Sequence, residues 1–323
     1  MKISYLLASP RVSALLAAYV GLGGCLDERA PALEPTDSTV DVSEHDTSTD
    51  TDEAIITTGS AKVVRPGTKL NLDISLPPSL EAEIVGWQWS AIQPDGSAVS
   101  FQPNANIKNP TLEPWVIGDY VFRLALLDNT GRTHYAQEHR LMVAPRGGLH
   151  IELTWHTPTD PDETDTGSGS SWSAGSDVDL HLLHPRANGQ YFDGEYDCYW
   201  EHTQPNWSTS GLDGSNPTLD RDDTDGAGPE VISLLSSEPD ATYRVGVHYW
   251  NDWGYGTSLA TIRIYIDGVL QDEWTNVQIV DGDMWESHEI DLASGEVRRL
   301  TIEDDEPQII PMYTVGTGLE PLE

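Results

Sequence analysis

The segment Asp177-Val178-Asp179-Leu180-His181-Leu182-Leu183 alternates polar and apolar residues until its last position. Alternation with a period of two is typical of a β-strand, in which successive side chains point to opposite faces. The pattern therefore predicts a strand that places Val178, Leu180 and Leu182 on one face. Its other face gathers Asp177, Asp179 and His181.

The same strand period recurs along most of the chain. It appears at residues 69–74, 119–126, 151–155, 243–249 and 261–267, and turn signals such as Pro94-Asp95-Gly96 separate the runs. No long helical period accompanies it. We therefore predict an all-β chain with two β-sandwich domains, residues 55–145 and residues 149–302, joined by a short hinge at Arg146-Gly147-Gly148.

The N-terminus has the composition of an export signal. Lys2 and Arg11 precede an apolar run at residues 12–22, which is too short to span a bilayer as a helix. Its ending, Leu22-Gly23-Gly24-Cys25, resembles the lipobox of bacterial lipoproteins. That resemblance implies removal of residues 1–24 and lipidation of Cys25. It also implies anchoring in the outer membrane, because the residue after the cysteine is Leu26 rather than an aspartate. An ordinary export signal followed by a chance cysteine is the alternative.

Two further segments lack the strand period. Residues 25–54 consist mainly of Asp, Glu, Ser, Thr and Pro, a composition that buries too little apolar surface to fold and predicts a disordered acidic tether. Residues 303–323 are acidic and contain proline, and we expect an extended tail there.

The charge of the chain restricts its partners. It contains 53 acidic and 17 basic residues, for a formal charge of −36, and lysine occurs only at positions 2, 62, 69 and 108. Nucleic-acid binding needs a basic surface, so this composition excludes it and favours cations instead. The two cysteines are Cys25 and Cys198. With Cys25 lipidated, Cys198 is a buried apolar residue, a reactive thiol or half of an intermolecular bridge.

Acidic residues concentrate in two segments of the second domain, the predicted strand at 177–183 and a glycine-containing loop at 220–228. Calcium takes six to eight oxygen ligands from such carboxylates. The loop does not fit the EF-hand spacing, because Arg221 and Ile232 would occupy its first and last positions. We therefore expect a calcium site joined from separate segments, or else solvated acidic turns. The candidate ligands are Asp177, Asp179, Asp220, Asp222, Asp223 and Asp225.

Aromatic residues in loops and at strand ends are the candidate contacts for a partner, because flat rings suit stacking on sugars or protein surfaces. Closing the ends of the sandwich is their alternative role. We place two histidines with them, since His181, His248 and Asp179 share one face if their strands are neighbours. The candidate ligand-binding residues are Trp207, Trp250, Trp253, Tyr255, His181 and His248.

Two resemblances cover most of the chain. The order of Trp87-Gln88-Trp89, Asn109-Pro110-Thr111, Gly118-Asp119-Tyr120 and Asp128-Asn129-Thr130-Gly131 resembles the polycystic-kidney-disease-type and related immunoglobulin-like domains of bacterial surface proteins. The stretches DVDLHLLHP, DCYWEHTQPNW, NPTLDRDDTDGAGPE and YRVGVHYWNDWGYG resemble YfaP-like secreted β-sandwich domains. These resemblances imply fold and setting, a spacer followed by a jelly-roll-like sandwich in an exported protein. They imply no reaction.

Together these observations predict a lipoprotein of the cell envelope that displays a calcium-stabilised β-sandwich binding module for a glycan or a protein. A structural envelope protein that assembles with its neighbours is the first alternative, and a metal-dependent hydrolase is the second. The sequence contains no HExxH, GxSxG or comparable catalytic signature, so we assign no catalytic residues and predict no enzyme.

Overall fold

Strands account for most of the regular structure, as the alternating pattern predicts. The computed structural model describes residues 54–56, 62–76, 78–135, 138–163, 175–209, 211, 214–224 and 226–313. The all-β fold is confirmed over these residues. Cys25, the tether to residue 53, Asp225 and residues 314–323 of the expected tail lie outside them.

The described part of the N-terminal region contains eight strands and one short helix. The helix, α1, is Pro78–Glu81. The strands are β1 (Ala54–Ile56), β2 (Lys62–Val64), β3 (Leu70–Leu72), β4 (Ile84–Ile92), β5 (Thr111–Leu112), β6 (Gly118–Asp128), β7 (Thr133–Tyr135) and β8 (His139–Val143).

Over residues 149–313, apart from the gaps given above, the C-terminal region contains eleven strands and two short 3-10 turns, at Pro185–Ala187 and Glu303–Asp305. Its strands are β9 (Leu149–His156), β10 (Asp177–Leu183), β11 (Asp197–Cys198), β12 (Thr218–Arg221), β13 (Glu230–Leu234), β14 (Thr242–Asn251), β15 (Ser258–Ile266), β16 (Val269–Ile279), β17 (Met284–Asp291), β18 (Glu296–Arg299) and β19 (Gln308–Ile310).

Each region is built from two sheets. In the N-terminal region the order is β1-β3-β5 in one sheet and β2-β8-β6-β4 in the other, with β7 also paired to β6. In the C-terminal region the first sheet has the order β12-β13-β9-β15-β16. The second has the order β11-β10-β14-β17-β18, with β19 also paired to β17. The sheets of the two regions share no strand pairing among the described residues.

One apolar core fills the space between the two C-terminal sheets. Ile151 and Ile262 come from the first sheet, and Leu180, Val247 and Trp285 come from the second. All five side chains are fully buried. Such burial contributes roughly 1.5–3 kcal/mol for each large apolar side chain relative to its exposure. The N-terminal region has a separate core, which includes Leu72, Trp89 and Phe122.

The two regions contact each other. The backbone N–H of Ile117 donates a hydrogen bond to the fully buried Glu152 carboxylate at 2.7 Å, and the Arg221 guanidinium lies 5.6 Å from the centre of the Trp115 ring. The described residues from 54 to 313 belong to one compact unit. The hinge at residues 146–148 therefore joins two sandwiches that are packed together.

Several details refine the sequence-based expectations. The strand at residues 177–183 is confirmed with those bounds, and the strand predicted at 151–155 extends over all of β9. β9 and β10 lie in different sheets, so the insertion between them connects the two layers. The segment after Glu303, expected as a tail, adds β19 to the edge of β17. Among the described residues, no helix has the length and apolar character needed to cross a membrane.

Candidate metal-binding cavity

The candidate site lies at one edge of β10, where the first five residues of the strand, Asp177 to His181, pair with no other strand of the described residues. β14 pairs with one edge of β10 along its whole length, but on the other edge β11 pairs only with Leu182 and Leu183. The backbone N–H groups of the remaining residues on that edge need other acceptors. Glu230, at the start of β13 in the opposite sheet, accepts a hydrogen bond from the Leu180 N–H at 2.5 Å. This contact brings an acidic residue of one sheet to the open edge of the other.

Three carboxylates meet at this edge. One oxygen each from Asp179, Asp222 and Glu230 lies within 4.8 Å of the other two, and Asp179 and Glu230 are buried. Asp177 also lines the cavity that opens above them. The portion of the chain that the structure describes therefore contains a cluster of three carboxylates that can hold a metal ion.

The loop between β12 and β13 is held by contacts that require glycine. Gly228 has a φ of +79°, and a Cβ there would lie 2.7 Å from the Trp155 ring and 2.9 Å from the Leu153 carbonyl oxygen. The guanidinium of Arg221 donates to the Pro229 carbonyl at 3.0 Å and to the Asp223 carboxylate at 3.2 Å. These contacts fix the end of the loop at the point where Glu230 enters the site.

The carboxylates of β10 are incompletely satisfied. Asp179 is 3% exposed and Asp177 is 8% exposed, and Oδ2 of Asp179 and Oδ1 of Asp177 have no hydrogen-bond partner. The atom of a basic side chain nearest to Asp179 Oδ2 is Nδ1 of His248, at 3.7 Å. A buried acceptor without a donor is costly unless something outside the protein chain satisfies it.

Burial also changes the protonation of these groups. It raises the pKa of Asp177 to about 8 and that of Asp179 to about 7, and the neighbouring carboxylates add to the shift of Asp177. Burial raises the pKa of Glu230 well above its usual range, reinforced by the charges of Asp179 and Asp222 and by a hydrogen bond with Asp222. Without a cation, bound protons therefore neutralise some of the charge of this cluster.

The two candidate histidines lie on the same outward face of the sheet as Asp179, because β10 and β14 are neighbours and Asp179 pairs with His248. The condition for a shared face, that the two strands be neighbours, is therefore met. His181 is fully buried, its Nδ1 donates a hydrogen bond to the Asp197 carboxylate at 2.8 Å, and its ring stacks on Tyr199, so it cannot reach a bound partner. Burial, aided by the nearby His181, lowers the pKa of His248 to about 3, which keeps that ring neutral.

The candidate aromatic residues separate into a buried and an exposed group. Trp207 is 2% exposed and donates to the Ser215 carbonyl, so its expected contact with a partner is wrong, because the residue belongs to the core. Trp250 and Trp253 are 45% and 42% exposed, and Tyr255 is half-buried on the turn after β14. Of these, Trp250 lines the cavity above the carboxylates.

The remaining acidic candidates lie elsewhere or are already engaged. Asp220 is exposed and lines a different cavity of about 350 Å³, together with Arg146 and His150. Asp223 is buried against Arg221. Asp225 is outside the described residues. Of the six aspartates, Asp177, Asp179 and Asp222 line the site.

Sequence reasoning left two residues out of the site. Glu230 follows the acidic loop directly and occupies an inward position of β13, where its carboxylate is an exception among apolar neighbours. This acidic residue at an inward position was the feature of the sequence that could have assigned Glu230 to the site. Trp200 comes from the loop after β11, and its ring meets the Trp250 ring at a centroid distance of 5.5 Å. No local pattern marks that pairing.

The buried residue Cys198 lies outside this cavity. It is fully buried, and its thiol donates a hydrogen bond to the Thr203 carbonyl at 3.6 Å. Burial raises the pKa of this thiol well above its usual range. Low thiolate content and lack of access both make a cysteine unreactive.

Comparisons with models of known protein families and with curated proteins gave no match for this chain.

Proposed function

We propose that this protein is a lipid-anchored binding protein of the cell envelope whose C-terminal sandwich is stabilised by calcium. The observation that supports the proposal best is the carboxylate of Asp179. It is almost fully buried, one of its oxygens has no hydrogen-bond partner, and it lies beside the carboxylates of Asp222 and Glu230.

The chemistry of the donors favours calcium among the common cations. The cluster offers carboxylate oxygens, which calcium prefers, whereas zinc sites are usually built with cysteine or histidine. Calcium–oxygen distances of about 2.4 Å place opposite ligands about 4.8 Å apart. The three oxygens lie within 4.8 Å of one another, so they fit around one such ion. A divalent cation would also offset the repulsion between these carboxylates, which is stronger in the protein interior than in water.

Thermal unfolding of the purified protein in EDTA and in millimolar calcium tests the site. A ligand that binds only the folded state at one hundred times its Kd stabilises it by about 2.7 kcal/mol, so we expect Tm to rise by several degrees. Asp179→Asn removes this rise. Asp220→Asn, on an exposed aspartate of the other cavity, is the matched control and retains it. Equal shifts in both variants, or no shift with calcium, magnesium, manganese or zinc, would refute the metal site.

The anchor rests on the sequence around Cys25. Intact mass measurement of the protein extracted from membranes tests it, and we expect the mass of residues 25–323 plus a diacylglyceryl group and an N-acyl chain. Cys25→Ser should abolish the lipid mass and release the protein from the membrane fraction. A mature protein that begins elsewhere and carries no lipid would overturn the anchoring component of the proposal.

A further inference from the structure

The cavity above the carboxylates has an aromatic wall. Its volume is about 210 Å³, and it is lined by Asp177, Asp179, Asp222, Thr224, Trp200 and Trp250. The rings of Trp200 and Trp250, which are 38% and 45% exposed, meet at 61°. Exposed tryptophans and incompletely satisfied carboxylates therefore line one concave surface, which is the usual composition of a binding site for a small ligand.

The strand register explains why these groups meet. Tyr249 and Val247 of β14 belong to the core, so His248 and Trp250 point to the opposite face. That face also carries Asp177 and Asp179, since Asp179 pairs with His248. Trp200 reaches the same place from the loop after β11. A ligand seated on the tryptophans would thus share one cavity with the proposed cation.

The coordination that the protein supplies is incomplete on the side of the cavity. Calcium takes six to eight oxygen ligands. The two oxygens of Glu230 already accept hydrogen bonds from the backbone N–H groups of Leu180 and Asp223, at 2.5 and 3.4 Å. Asp222 is the exposed member of the group and faces the cavity. Ligand oxygens entering from the cavity would complete the coordination.

We propose that the ligand is a neutral glycan, with a pair of adjacent hydroxyls on the cation and the apolar face of one sugar ring against Trp250. This inference rests on the proposed calcium site. A sugar supplies both requirements at once, because its hydroxyls are hard oxygen ligands and its C–H face packs on aromatic rings.

Charge selects neutral over acidic glycans. Asp177, Asp179, Asp222, Asp223 and Glu230 surround the site, and Arg221 is the cationic side chain paired within that group. One calcium ion leaves an excess of negative charge when the carboxylates are ionised, and the whole chain carries −36. Like charge brought to such a site costs free energy, so uronic-acid and phosphorylated polymers are disfavoured.

An array of immobilised neutral and acidic glycans, probed with the full-length protein, tests this inference. We expect binding to neutral glycans in millimolar calcium, reduced at least tenfold in EDTA. Trp250→Ala and Trp200→Ala should reduce binding to the same degree and leave the calcium-induced rise in Tm intact. Trp253→Ala is the matched control, because Trp253 is similarly exposed but does not line the cavity, and it should bind normally.

The outcomes separate this inference from the calcium site. Glycan binding that persists in EDTA, binding confined to acidic glycans, or no glycan binding by a protein whose Tm still responds to calcium would overturn the neutral-glycan inference and leave the calcium site standing. Loss of the Tm response itself would refute the calcium site. Calcium-dependent binding that Trp253→Ala removes and Trp250→Ala retains would place the ligand on the turn after β14 instead.

Discussion

Asp128 in the N-terminal sandwich and Asp179 in the C-terminal sandwich are buried to a similar extent, at 6% and 3% exposure, but their surroundings are opposite. One oxygen of Asp128 accepts hydrogen bonds from Thr130 and Arg132, and the other lies 2.8 Å from Nε2 of His134. The bond to His134 and those from the turn lower the pKa of Asp128 well below its usual range. Asp179 has an oxygen without a donor, and burial raises its pKa.

The difference shows that partners, rather than burial, distinguish a structural carboxylate from a candidate ligand. Glu238 makes the same point within the C-terminal sandwich. Burial opposes its ionisation, but hydrogen bonds from Thr209, His184 and Arg186 outweigh burial and lower its pKa to about 2. In the C-terminal sandwich, both oxygens of Glu238 therefore have hydrogen-bond partners within the chain, whereas one oxygen of Asp179 has none and is open to a ligand from outside the chain.

Asp128→Ala tests the partnered carboxylate. Of the two tests of this comparison, it should give the larger change in Tm. It removes the side-chain carboxylate, so the donors of Thr130, Arg132 and His134 lose their partner. We expect Tm at pH 7 to fall by several degrees, equally in EDTA and in calcium. Scanning calorimetry of the full-length protein measures the effect.

Asp119→Ala is the control for this substitution, because Asp119 is an exposed residue of the same strand. We expect it to change the free energy of unfolding by less than about 0.5 kcal/mol. If Asp128→Ala proves as mild as Asp119→Ala, the distinction between partnered and unpartnered carboxylates loses its energetic basis.

The pH dependence of Tm in the metal-free protein tests the unpartnered carboxylates. We expect a smaller change there, and it arises from the burial of charge rather than from lost hydrogen bonds. An aspartate whose pKa is higher in the folded than in the unfolded chain binds more protons when folded, so stability falls as pH rises from the unfolded value, about 3.9, through the folded one. For Asp179 and Asp177 the folded values are about 7 and about 8. In EDTA we expect Tm to decline between about pH 4 and pH 8. Calcium should flatten the decline, since it holds the carboxylates ionised.

Asp179→Asn sharpens this measurement. In EDTA at pH 8 the amide removes a buried charge, so the variant should be as stable as the wild type or more stable, in contrast to Asp128→Ala. Its decline in Tm with pH should be shallower than that of Asp119→Asn, which changes an exposed aspartate of the N-terminal sandwich and keeps the cluster intact. Parallel pH profiles for the two variants would show that general charge repulsion, rather than these aspartates, destabilises the protein at high pH.

Much of the fold was predictable because strand formation is a local property. Period-two alternation identifies β10 with its bounds and assigns Asp177 and Asp179 to one face of it. The same reasoning missed β19, because its three residues are too few to display a period. Trp207 was predicted as a contact residue because it lies outside the alternating runs, among the aromatic residues of loops and strand ends, yet it fills the core against Tyr243 at a centroid distance of 5.9 Å. Local pattern alone does not reveal which side of a loop the protein covers.

The amino-acid sequence by itself determined the all-β class, the negative charge, and the face on which each side chain of β10 lies, because composition and alternation are properties of the chain. Only the tertiary structure decided which elements meet. Sheet order placed β14 beside β10, and the open edge of β10 received Glu230 from the other sheet. Trp200 and Trp250 are fifty residues apart, yet both line one cavity with Asp179. Such contacts depend on the order of the strands within each sheet and on the paths of the loops, and no periodic pattern in the sequence encodes that order.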